Sequence, residues 1–204
     1  IRRLDMTESQ PLGSFTGEEG NWNLGKYNYG EGIYIGIRPE WLEKQIATHN
    51  HTLDVSVIKN RSIAHEMNLE LQPTQHGLPI LHTFSHLIIK ELCQASGYSL
   101  GSITERLYLE TDEQHVQKAG ILLYTTGSSS DGTLGGLSSQ AEQPIIEKIV
   151  KRALQRKNEC SNDPICSEHQ PTAEEPNGAA CHACVLLPES CCELGNHLLD
   201  RNWG

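Results

Sequence analysis

Six of the seven cysteines in this 204-residue chain fall between Cys160 and Cys192. They come as Cys160 and Cys166, spaced C-x5-C around Pro164, as Cys181 and Cys184, spaced C-x-x-C, and as the adjoining Cys191 and Cys192. A C-x-x-C turn brings two thiolates to one point from a single tight loop, which is half of what a tetrahedral ion needs. Cys160 and Cys166 are the nearest complete second pair. The spacing therefore predicts a zinc ion held by Cys160, Cys166, Cys181 and Cys184, with Cys192 as a reserve ligand. His182, between the paired cysteines, is expected to point away, because adjacent residues on a turn rarely reach one ion together. Four cysteines fill the shell, so the expected role is structural; a catalytic zinc keeps an open position. A disulfide framework is the competing reading, but it suits a secreted mini-domain and the rest of the chain has no secretory character.

His82 and His86 form a second group. They stand at i and i+4 in a helical pattern, so both side chains can reach one ligand or one metal. Hydrogen-bonded structural histidines are the plainer expectation; a metal site, an acid/base pair or a phosphate contact are the alternatives. With Asp131 in the Gly/Ser-rich stretch from Gly127 to Gly136 they make a possible secondary site. That stretch has no Lys in a G-x-x-x-x-G-K arrangement, so a nucleotide phosphate loop is not supported. H-E-x-x-H is absent, and Cys181 follows Ala180 rather than the Pro of the deaminase pattern. No catalytic residue is assigned, and a non-catalytic chain is expected.

Basic residues concentrate in one place. Lys148, Lys151 and Arg152 share a helix face opposite the apolar positions, and Arg156 and Lys157 extend it towards Cys160. As a solvated face this needs no partner; as a nucleic-acid contact, Lys148, Lys151, Arg152 and Arg156 are the best candidates in the chain. The formal net charge of -10 argues against the whole surface lying on phosphates.

These residues need elements to position them. Ile33, Ile35 and Ile37 alternate as on a strand, and Pro39 opens a helix running through Trp41 and Ile46. Leu53, Val55 and Val57 alternate too, within a stretch, residues 47–76, that is otherwise weakly patterned. The clearest helix runs from Pro79 to Ser96 and stops at Gly97, with Leu81, Phe84, Ile88, Leu92 and Ala95 as its core stripe. Arg106 to Glu110 and Gly120 to Thr126 read as strands, the second apolar enough for a sheet covered on both faces. A last helix is predicted from Ser139 to Lys157, with Pro144 in its early turns and Ile146, Ile149, Val150, Ala153 and Leu154 buried. The expected fold class is α/β, with α+β as the other possibility: a mixed sheet flanked by helices with a small four-cysteine zinc module at the C-terminal end. The expected divisions are an irregular lead-in over 1–30, a core over 31–157 and the cysteine-rich module over 158–204. No run of 18 apolar residues exists, so no membrane span is expected. The chain starts at Ile1 without a charged-then-apolar leader, and is read as a cytoplasmic piece of a longer polypeptide.

Taken together, Leu81-His-Thr-Phe-Ser-His86, Gly97-Tyr-Ser99, the Gly127–Gly136 stretch, Cys160-Ser-Asn-Asp-Pro-Ile-Cys166, Ala180-Cys-His-Ala-Cys184, Pro188-Glu-Ser-Cys-Cys-Glu193, Asn196 and Leu199-Asp-Arg201 resemble the MrfA-type zinc-binding domain family. The resemblance covers most of residues 30–201. That domain occurs at the C-terminal end of certain DNA-repair helicases and of the DrmB subunit of the bacterial anti-phage system DISARM, and the Gly30–Ile35 strand is similar to the DrmB branch. The resemblance implies a zinc-stabilised domain serving a DNA-processing assembly, with ATP hydrolysis in a partner helicase (DrmA-like) and DNA engaged through that assembly. The family's cysteine motif carries over onto Cys160, Cys166, Cys181 and Cys184, and Cys192 matches a recurrent position. The doubled Cys191-Cys192 departs from the usual single cysteine. The alternatives are the zinc domain of a repair helicase and an enzyme centred on His82 and His86.

Overall fold

The computed structural model describes residues 15–17, 20–22, 30–48, 77–112, 115–125, 136–172 and 175–203. At its centre is a helix, α2 (Leu78–Ser96), buried on every side from Leu78 through Cys93. Its sequence explains this: Ile80, Leu81, Phe84, Leu87, Ile88, Ile89 and Leu92 occupy more than one face, so no single stripe could be left to water. Pro79 lies in the first turn and Gly97 ends the helix at φ 77°, where its N–H donates to the Cys93 carbonyl at 3.0 Å. The expected core stripe holds except at Ala95, which is exposed because the last turn emerges from the packed layers.

One side of α2 lies on a three-stranded sheet of β3 (Gly32–Ile37), β4 (Ile103–Thr111) and β5 (Val116–Thr125), in the order β3-β5-β4. Both pairings are antiparallel, with Ile35 and Leu107 flanking Ile121 in register. All pairings among the described residues are antiparallel, so of the two expected arrangements α+β is the one present. Period-two alternation aims Ile33, Ile103, Ile121 and Leu123 at the helix. The opposite face is partly open: Tyr34 and Tyr108 are exposed there and meet edge-on at 6.2 Å, so β5 is not covered on both faces as its sequence suggested. A short antiparallel pair, β1 (Phe15–Gly17) with β2 (Gly20–Trp22), occupies part of the lead-in read as irregular. Leu53, Val55 and Val57 lie outside the described residues.

Helix α1 (Pro39–Thr48) starts on its proline, as expected, and buries Leu42. Helix α3 (Ile145–Arg156) packs along α2 through Ile149 and Ala153. It is shorter than predicted: residues Ser138–Ala141 form a separate 3-10 turn, and the helix begins after Pro144. Pro144 has no N–H to continue a helix and its ring disfavours a helical Gln143, so the proline marks the boundary.

Among the described residues after α3 there is little regular structure, only the 3-10 turn Glu189–Cys191. Its buried backbone groups must still be satisfied. Side-chain amides do much of this. Asn196 accepts the Leu187 N–H at 3.1 Å and donates to the Leu187 carbonyl at 2.7 Å, while Asn177 accepts the Leu199 N–H at 2.9 Å. Asp200 Oδ1 accepts the N–H groups of Ala179 and Asn202, and the Asp200 N–H donates to Thr83 on α2 at 2.9 Å. Gly178 passes so close to the Asp200 carboxylate that any Cβ would overlap it. Cys166, Cys184, Val185, Leu187, Leu199 and Trp203 belong to the same apolar cluster as α2 and the sheet. Trp203 closes it edge-on against Trp41 and Phe84, at 5.8 and 6.2 Å. Among the described residues no helix is long and apolar enough to cross a membrane.

Candidate metal centre

The Cys160–Cys166 turn and the Cys181–Cys184 turn face each other beside the C-terminal end of α3. Their four sulfurs lie within 4.8 Å of one another. Cys160 is 3.5 Å from Cys181, Cys166 is 3.7 Å from Cys184, and Cys181 is 3.6 Å from Cys184. A tetrahedron with about 2.3 Å from centre to sulfur has an edge of about 3.8 Å, so these separations fit one zinc ion. A disulfide needs about 2.05 Å, and all seven cysteines are free. His182 contributes a backbone carbonyl, to Lys90 at 3.4 Å, and is not among the four donors.

Backbone geometry prepares the sulfurs for charge. The Asn162 N–H donates to Cys160 Sγ and the Cys181 N–H to Cys184 Sγ, each at 3.3 Å. Burial raises the Cys181 thiol, but hydrogen bonds from Cys184 and from neighbouring thiols outweigh it and bring it down to about 7. Burial and the adjoining Cys181 push Cys184 up to about 11, and burial with the adjoining Cys184 drives Cys166 higher still. Four thiols so close cannot all ionise unless a cation takes up the charge. Lys90 and Arg201 flank the group. Burial lowers the Lys90 ammonium, against the opposing pull of Cys184, Cys181 and Cys160. Arg201, 3% exposed, bonds to Cys166, to the Lys157 carbonyl at 3.0 Å and to Asp163. An ion with four thiolates carries two net negative charges, and two buried cations beside it offset them.

The reserve ligand is elsewhere. Cys192 lies with His82, His86 and Glu105, another set of four donors within 4.8 Å of one another. His82 and His86 are thus brought together as expected, but Asp131 lies outside the described residues and Glu105 takes the acidic place. Both histidines are 0% exposed. Burial alone would raise the Glu105 carboxyl, but His86 and His82 hold it well below its ordinary value; burial in turn lowers His82. Sequence patterning does not single out Glu105, Lys90 or Arg201. For Glu105 there is one signal: it interrupts the inward-facing series Ile103, Leu107, Leu109 with a charge.

On α3, Lys148, Lys151 and Arg152 are exposed as predicted. Arg156 is not available in the same way: its Nε donates to the buried Glu91 at 2.5 Å and its Nη2 to Gln94 at 3.2 Å. A groove of about 1070 Å³ runs between α3 and the cysteine turns, lined by Arg152 and Arg156 but also by Glu91, Glu159 and Asp163.

The family described as the MrfA Zn-binding domain matches residues 84–185, half of the chain. The chain belongs to the MrfA Zn-binding domain family. The matched stretch contains all four clustered cysteines, and the zinc in the family's description agrees with their tetrahedral spacing. His82 and Cys192 lie outside it. The chain is also 35% identical over 188 residues to the DISARM protein DrmB of Bacillus paralicheniformis (strain ATCC 9945a / NCIMB 11709 / CD-2), covering 89% of this chain and 32% of that protein. This MrfA Zn-binding domain chain thus spans about a third of the length of that curated relative.

Proposed function

We propose that this chain is the zinc-stabilised, non-catalytic part of a DrmB-like subunit of an anti-phage system, and that it binds a helicase partner and helps hold DNA. The carrying observation is the closed four-sulfur centre within the family match, in a chain similar over most of its length to a DISARM protein. Cys160, Cys166, Cys181 and Cys184 are the zinc ligands in this reading. With all four positions taken by sulfur and Cys166 and Cys184 buried, the ion organises the chain and has no place for substrate. Two surfaces suit partners: the basic face of Lys148, Lys151 and Arg152, and the open sheet face around Tyr34 and Tyr108. ATP hydrolysis belongs to the helicase partner. An enzyme centred on His82 and His86 is disfavoured because neither ring reaches solvent.

Salt dependence of DNA binding tests the DNA half of this reading, measured on the chain with its helicase partner. Replacing Lys148, Lys151 and Arg152 by Gln should weaken binding and flatten log affinity against log salt by about 2–3 units, the loss of three phosphate contacts. An unchanged slope would leave a scaffold that never touches DNA, the reading favoured by the net charge of -10. Co-purification of the chain with a DrmA-like helicase tests the partner half; absence of a complex at micromolar concentration contradicts it.

A further inference from the structure

Helix α2, strand β4 and the segment after Glu189 bring His82 Nε2, His86 Nε2, a Glu105 oxygen and Cys192 Sγ together in the core. The four residues are 0%, 0%, 1% and 4% exposed. Four polar donors in an apolar interior need compensation, and mutual hydrogen bonds supply only part of it. His86 Nδ1 is 3.1 Å from the Val185 carbonyl, which can only accept, so Nδ1 carries the proton and in the neutral ring Nε2 is a bare lone pair. That lone pair faces Glu105 Oε1 at 3.2 Å. His82 Nε2 is 3.0 Å from the same oxygen and 3.1 Å from Cys192 Sγ, and one ring N–H cannot serve both. Oε1 already accepts the Glu193 N–H at 3.2 Å, while Glu105 Oε2, fully buried, has no hydrogen-bond partner among the described residues. Cys192 Sγ accepts the Asn196 N–H at 3.0 Å, as metal-bound thiolates do.

We propose that His82, His86, Glu105 and Cys192 form a second metal site holding a structural zinc ion. A cation among these atoms satisfies the facing lone pairs at once. The mixture of two imidazoles, one thiolate and one carboxylate suits zinc. One thiolate and one carboxylate cancel its two charges, so the unit is neutral where a net charge would be most unfavourable. The His86 ring is oriented by a backbone carbonyl through its other nitrogen, the usual support of a metal-bound histidine. The first centre draws its ligands from a short stretch, Cys160 to Cys184. The second ties together α2, β4 and the C-terminal segment, and Val185, which orients His86, directly follows Cys184 and so links the two. This inference is independent of helicase or DNA binding.

The metal-free alternative is a buried imidazolium–carboxylate pair, and zinc itself is the probe that separates the two. We expect about two zinc per chain by elemental mass spectrometry after dialysis against a weak chelator. X-ray absorption at the zinc edge should show nitrogen or oxygen scatterers alongside sulfur. Glu105→Gln, close in shape, should lose one equivalent and leave sulfur alone around the remaining ion. One zinc per chain with a sulfur-only shell overturns the second site and leaves the first intact. Two zinc unaltered by Glu105→Gln overturns the ligand assignment. If Glu105→Gln fails to fold, the stoichiometry and shell of the unaltered chain decide alone.

Discussion

Lys90 and Arg201 set the charge balance of the four-sulfur centre, and each can be tested singly. Neither would touch a zinc ion held there; each would offset part of the negative charge that four thiolates leave on it. Lys90→Met and Arg201→Met should therefore lower zinc affinity by about 10–100-fold, measured by competition with a chromophoric chelator. Lys148→Met, exposed and on another face, should leave it unchanged. Glu31 makes a different residue-scale prediction. Burial would raise its carboxyl, but it accepts hydrogen bonds from Tyr98 at 2.6 Å and from the Leu137 and Ser138 N–H groups at 2.9 Å, and its pKa falls to about 2. A carboxyl with a depressed folded pKa adds stability that is present above its unfolded value near 4.5 and lost as pH falls towards 2. Glu31→Gln should remove that part of the acid sensitivity, seen as a flatter urea midpoint between those pH values. At this scale the cysteines are legible because ligands close in sequence show their spacing. Glu105, Lys90 and Arg201 are not, since the fold alone brings positions 90, 105 and 201 to their sites. Cys192 escapes for the same reason: adjacency to Cys191 says nothing about which core it enters.

The elements follow the sequence where local rules act alone. Gly97 is such a case. Its φ of 77° requires the left-handed region, and a Cβ there would meet nothing within 4 Å. Gly97→Ala should thus cost about 1–2 kcal/mol from backbone strain alone, read from urea denaturation. At α3 two expectations separate. The buried positions Ile149 and Ala153 are legible from their spacing, but the start is not, because Pro144 fits the first turn of a helix as well as the position before it. Arg156 leaves the basic face for a pair with Glu91, which is 4% exposed. Removing the arginine leaves a buried carboxylate short of its partner. Arg156→Met should destabilise by about 1–3 kcal/mol in chemical denaturation, and adding Glu91→Gln should restore part of the loss. The sheet's open face is hidden in the sequence because β5 is apolar on both sides; only the exposed Tyr34 and Tyr108 reveal which side lacks a second layer.

Across the whole molecule, one apolar cluster joins α2, the sheet and the cysteine-bearing segment. That segment has almost no helix or strand to nucleate it. Its order rests on amide side chains and on Asp200 against Thr83, and zinc held by its cysteines would add to it. A structural zinc whose ligands converge only in the folded chain contributes its binding free energy to folding. The most direct test of this account is elemental mass spectrometry on the purified chain beside Cys→Ser variants at 160, 166, 181, 184 and 191. Each of the first four variants should lose the same zinc equivalent and melt at lower temperature. Cys191→Ser, whose sulfur is outside both donor sets, should keep all of its metal. Undiminished zinc in the Cys181→Ser or Cys184→Ser chain would contradict the four-sulfur centre outright.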